Sequence, residues 1–187
     1  MEEKSKSMKQ YCTIHVDKST TAGGSLGQHI DRKKQPKNAD PTKEHLNFAI
    51  VKEGEEVKGI RLKEANLKPL ATRVKERIAE GYTGKTAIRK DAVTQLNVML
   101  TGSHDKLSAM NGKEVTEWAL ENYRFLAKEY GVQNIVGFAV HRDERTPHIH
   151  ATIVPLTPDG RLSAREIVGN NKKLAGLQNR YAEAMKP

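Results

Sequence analysis

The residues with the clearest chemical potential lie within one short segment, His141-Arg142-Asp143-Glu144-Arg145-Thr146-Pro147-His148-Ile149-His150. It holds three of the seven histidines of the chain. The apolar runs Ile135–Val140 and Ala151–Leu156 flank it, which predicts two strands joined by a short polar loop containing Pro147. Alternate residues of a strand share a face, with Cα atoms roughly 6.5 Å apart. His148 and His150 therefore point to the same side, and His141, closing the preceding strand, can reach the same spot. Three imidazoles converging from a rigid sheet make a metal site with positions left open for substrate. Neutral imidazole ligands suit Mn²⁺, Zn²⁺, Co²⁺ or Ni²⁺ better than Mg²⁺ or Ca²⁺. A closed structural zinc site would usually draw on cysteine. Cys12 is the single cysteine and lies far away in sequence.

The elements that must hold these residues follow from hydrophobic periodicity. Strands are predicted at Tyr11–Val16, His45–Val51 and Gln95–Leu100, in addition to the two around the histidines. Leu67, Leu70, Val74 and Ile78 mark a helix with Pro69 in its first turn and a stop at Gly81. Val115, Trp118, Ala119, Asn122, Phe125 and Leu126 mark a second, ending near Gly131. Leu174, Leu177 and Tyr181 mark a last one. Residues 17–44 show no sustained period, apart from a short helix around His29; a segment this long without structure is usually functional or disordered. The order predicts an α+β fold, a five-stranded antiparallel sheet with helices packed on one face.

Composition narrows the partners. The 187 residues suit one domain. No apolar run reaches the roughly 20 residues of a membrane span, and the charged N-terminus lacks a signal-peptide core. A lone cysteine provides no intrachain disulfide framework, which places the chain in a reducing cytoplasm. The net charge of +9 favours a polyanion, most often nucleic acid. Its candidate contacts are Arg32, Lys33, Lys34, Lys85, Arg89 and Lys90.

With these motifs assembled, the chain resembles the MobV (Mob/Pre) family of plasmid relaxases, endonucleases named for a His-hydrophobic-His pair. The signature H-x-D-E-x-T-P-H-x-H stands complete from His141 to His150. Gly24–Arg32 resembles the family's first motif, and Pro41–Asn47 its second. Ala87–Val93 and Asp159–Ser163 also resemble family segments. The resemblance implies a five-stranded antiparallel sheet with the metal-binding histidines on central strands. It implies a bacterial cytoplasmic enzyme that nicks one DNA strand at a transfer origin, keeps the 5′ phosphate covalently and later rejoins the strand. The metal is expected to be Mn²⁺, held by His141, His148 and His150. The DNA is expected to be single-stranded or hairpin origin DNA.

The resemblance makes His29 the expected nucleophile. Phe48 follows His45-Leu46-Asn47, so the second motif supplies no tyrosine, and Tyr11 is the remaining rival. An imidazole of ordinary pKa is largely neutral at pH 7, and a carboxylate on its other nitrogen would orient its lone pair. Glu144 is the candidate, with Asp143 as its alternative or as a hydrogen-bond partner behind a metal histidine. Arg32 and Arg89 are expected on phosphates. The chain is read as a single catalytic domain over residues 1–187, the N-terminal part of a longer protein, with homodimerisation through a C-terminal region outside it.

Two other functional classes compete. A rolling-circle replication initiator would keep the chemistry, and a non-catalytic DNA-binding module would make the histidines structural. A two-histidine phosphoesterase is disfavoured because only His150-Ala151-Thr152 supplies an H-x-T element.

Overall fold

The fold is described from a computed structural model, covering residues 12–20 and 24–186. Among the described residues, six strands form one antiparallel sheet: β1 Cys12–Ser19, β2 Phe48–Glu53, β3 Glu56–Arg61, β4 Gln95–Gly102, β5 Ile135–His141 and β6 His148–Ile153. Their spatial order is β1-β4-β6-β5-β2-β3. The histidine-bearing strands β5 and β6 are thus central and paired on both sides, which fixes their side chains in space.

The expectation of five strands is corrected by β3, an outer strand that pairs with β2 alone among the described residues. Its sequence Glu-Val-Lys-Gly-Ile-Arg is too polar for a buried strand and suits a sheet edge. The local signal was Gly54, with φ of 61° between Glu53 and Glu56, which pair directly. Glycine at the first central position of a two-residue hairpin turn is a strong hairpin signature.

Strand alternation sorts the side chains onto two faces. Ile149, Ala151 and Ile153 of β6, with Phe138 and Val140 of β5, join the main core. There they meet Val115, Ala119, Phe125 and Leu126 of α4 (Gly112–Tyr130) and Leu177 and Tyr181 of α6 (Asn171–Ala184). The helix α4 starts at a complete capping box between Asn111 and Glu114 and stops at Gly131, whose φ is 85°. The Tyr181 hydroxyl donates to Asn122 Oδ1 at 2.8 Å, satisfying both inside this core.

Helices occupy the other face as well, correcting the one-face arrangement. Here α1 (Gly24–Ile30) and α2 (Leu70–Gly81) pack Ile30 and Leu70 against Ala49 and Ala139 in a second cluster. The small residues on these strands leave room for close approach. A Cβ on Gly27 of α1 would stand 3.2 Å from Leu70 Cβ. Arg73 of α2 ties the layer together: its guanidinium donates to Asp31, just past α1, at 2.5 and 2.6 Å, and to the Val136 carbonyl of β5 at 2.6 Å. Val136 lies at a register shift in the β5–β6 ladder, where its carbonyl is available. Two short helices, α3 (His104–Ala109) and α5 (Ala164–Val168), lie between the longer elements.

Candidate active site

His29 lies near the end of α1, His141 ends β5, and His148 and His150 open β6. The register sets His141 opposite His148 and Ala139 opposite His150. All three strand histidines therefore face the α1 layer, and α1 brings His29 over them. One ring nitrogen from each of the four lies within 4.8 Å of the others.

The tautomers are set by backbone carbonyls. His141 is buried, and its Nε2 lies 2.9 Å from the Ile30 carbonyl at the end of α1. A carbonyl only accepts, so Nε2 carries the proton and Nδ1 keeps its lone pair. Nδ1 is buried with no hydrogen-bond partner among the described residues. An orphaned buried acceptor is costly unless it meets a cation or donor. His148 Nδ1 lies 2.9 Å from the Thr146 carbonyl, which leaves its Nε2 as the lone-pair atom. A divalent metal fits this donor set: His141 Nδ1, His148 Nε2 and a ring nitrogen of His150. Carbonyl support of metal-binding histidines is the usual way such rings are oriented.

Burial favours the neutral form of His141, His150 and His29. It pushes His141 well below the ordinary histidine pKa, helped by Arg32. It pushes His150 down to about 3, with the neighbouring His148 and His29 adding to the effect. His29 is also lowered, first by burial and then by the Arg32 charge. A neutral imidazole is the form that can bind a metal or attack phosphorus.

Arg32, expected on phosphate, is buried beside His29 and organises its surroundings. Its side chain is 2% exposed. The guanidinium grips Asp143 at 2.7 and 3.0 Å, reaches Glu144 at 2.6 Å, and lies 3.3 Å from His29 Nδ1. Its backbone sits at φ 49°, an unusual conformation for a side-chain-bearing residue, held by this buried network.

Asp143, expected behind a metal histidine, is fully buried against Arg32, while the carbonyls of Ile30 and Thr146 meet the rings of His141 and His148. Glu144 takes hydrogen bonds from Arg32 and Asn38 and stands 3.8 Å from both His29 Nε2 and His148 Nε2. That spacing is electrostatic contact rather than the hydrogen bond expected from the sequence.

Sequence reasoning missed two residues here. Asn38 holds Glu144, and the His104 ring lies 3.0 Å from the Thr146 hydroxyl, bracing the loop that fixes His148. Neither has a local signature; both act across long sequence separations. Tyr11 lies outside the described residues.

The basic residues divide into two groups. Lys33 and Lys34 are exposed, and Lys34 lines a pocket of about 280 Å³ with Ser25, His29 and Lys37. Lys85, Arg89 and Lys90 are exposed on the segment between α2 and β4. That segment is tethered through Thr83 to Gly160 and through Thr94 to Ser19, at the end of β4 away from the histidines. The structure does not bring them to the site.

A six-stranded antiparallel sheet with helices on both faces defines the class of fold. Solved structures share it: the MobM relaxase domain (MOBV; Mob_Pre), Mn-bound and bound to plasmid pMV158 oriT DNA, superposes with a TM-score of 0.79 at 24% identity, over 94% of this chain and 85% of that one. The family model described as plasmid recombination enzyme, Mob_Pre, matches residues 8–187, and the chain belongs to that family. A plasmid recombination enzyme type 3 of Staphylococcus aureus is 32% identical over 181 residues, 94% of this chain and 41% of the relative. A type 1 enzyme of the same organism is 35% identical over 161 residues, 86% of this chain and 39% of the relative. The chain thus spans about two fifths of the length of these curated relatives.

Proposed function

We propose that this chain is the nicking domain of a plasmid mobilisation relaxase, acting in the bacterial cytoplasm on single-stranded or hairpin origin DNA. The observation that carries the reading is the convergence of a helix-borne His29 on three strand-borne histidines, with the lone pairs of His141 and His148 turned inward. Family membership and the fold shared with the DNA-bound MobM domain support it.

A divalent ion, Mn²⁺ first, would be held by His141, His148 and His150 and would draw charge from the oxygens of the scissile phosphate. His29 supplies the nucleophile. Its lone-pair nitrogen forms the N–P bond, and the bond from phosphorus to the 3′ oxygen breaks. Glu144 takes the proton from the other ring nitrogen of His29, and that one proton is passed on through solvent to the departing 3′ oxygen, which leaves as the hydroxyl. The product is a histidine phosphoramidate to the 5′ end plus a free 3′ hydroxyl, and the reverse reaction rejoins the strand. Arg32 and Asp143 fix Glu144 and the His29 ring in register.

The test uses a library of single-stranded oligonucleotides tiled across the DNA that flanks this protein's gene. Wild-type protein with Mn²⁺ is expected to cut one strand at one position, and His148→Ala or His150→Ala to lose at least about a hundredfold in rate, as removal of a ligand-supporting group typically costs 10–100-fold. Full, chelator-resistant cleavage by either variant contradicts the reading.

A further inference from the structure

We infer that His29 is a fourth metal ligand in the DNA-free protein, closing an all-imidazole shell around a tetrahedral ion such as Zn²⁺. The inference about coordination stands on the site geometry; its consequence for activity rests on His29 being the nucleophile.

The geometry treats His29 as a full member of the cluster. Its ring centroid lies 5.4 Å from that of His141 and 5.2 Å from that of His150. The three strand histidines stand 4.9 to 5.2 Å apart among themselves. The four ring nitrogens lie within 4.8 Å of one another. In a tetrahedral shell with Zn–N bonds of about 2.1 Å the nitrogens stand about 3.4 Å apart, so the rings must close by up to about 1.4 Å, within the reach of side-chain rotation.

The chemistry agrees. Arg32 Nη1 lies 3.3 Å from one ring nitrogen and 3.5 Å from the other, so it commits neither strongly. The helix α1 is tied to α2 through Asp31 and Arg73, which keeps His29 over the strand histidines.

A nitrogen bound to a metal has no lone pair for phosphorus. Zn²⁺ prefers four nitrogen or sulfur ligands and outcompetes Mn²⁺ at imidazole sites, whereas Mn²⁺ favours six-coordination with oxygen. Zinc is therefore expected to lock the nucleophile, and manganese to leave it exchangeable with a phosphate oxygen. The four-histidine shell is a resting form, and metal identity decides how readily it opens.

The test loads metal-free protein with Zn²⁺ alone and counts imidazoles by X-ray absorption fine structure. Four are expected in the wild type and three in His29→Ala and His29→Gln. Competition against a chelator should show at least about tenfold weaker zinc binding in both variants, whose metal-free forms should melt like the wild type. Three imidazoles in the wild type, or equal zinc affinity in wild type and variants, overturns the inference. A three-imidazole result together with a DNA adduct on His29 leaves the nicking function intact. A four-imidazole shell with the adduct on another residue keeps the coordination and removes His29 as the nucleophile.

Discussion

A lone pair facing inward from a buried imidazole is the smallest unit on which the site depends. His141 Nδ1 has no partner among the described residues, and the carbonyl that orients the ring belongs to the residue after His29. The helix that carries His29 thereby also orients His141. This arrangement has a cost in acid. His141 and His150 have folded pKa values below the roughly 6.5 of an unfolded histidine. Above pH 6.5 both are neutral in either state. As pH falls from there toward about 3, the unfolded chain takes up protons that the fold excludes, and stability is lost through that window. Urea titrations of metal-free protein should show a midpoint that falls steadily between about pH 6.5 and about pH 4. His150→Phe should flatten the curve by removing one of the groups with a lowered pKa. A midpoint independent of pH across this range would contradict the buried, neutral state of the site.

At the scale of elements, the packing of α1 on α2 decides where His29 stands. Gly27 lets the helices approach closely: a Cβ there would stand 3.2 Å from Leu70 Cβ, so even a methyl group would need Leu70 to give by a few tenths of an ångström. Valine at this position is expected to push the helices apart and cost about 1–3 kcal/mol, with loss of DNA nicking larger than the loss of fold. Denaturation and cleavage rates measured side by side check this; normal cleavage in Gly27→Val contradicts it. Much of this scale was legible in the sequence. The α2 and α4 stripes, the β4 alternation and the His141–His150 hairpin are all local patterns, and the structure has them. What was not legible is non-local. The strand β3 carries charged residues because it lies at an edge. The layer of α1 and α2 is bound by Arg73 to Asp31, residues 42 positions apart. Arg32 reads as a basic surface residue in sequence, since its neighbours are Lys33 and Lys34; only the fold reveals Asp143, 111 positions away, as its partner.

For the whole molecule, the net charge of +9 bears on the proposed DNA partner. Lys33 and Lys34 flank the histidine cluster, while Lys85, Arg89 and Lys90 lie toward the other end of β4. If a single strand touches the near group, log K should fall with log salt. Replacing Lys33 and Lys34 by alanine should then reduce the slope by about 1.4, at about 0.7 for each phosphate no longer neutralised. Fluorescence anisotropy across a salt series measures this, and an unchanged slope removes these lysines from the interface. The central claim, however, is that His29 carries the DNA. Mass spectrometry of the covalent complex formed with Mn²⁺ and the cleaved oligonucleotide tests it most directly. The predicted result is a peptide containing His29 joined to the 5′ phosphate, lost on mild acid treatment as a phosphoramidate is, and absent from His29→Ala. An acid-stable adduct on a tyrosine, still formed by His29→Ala, would contradict it.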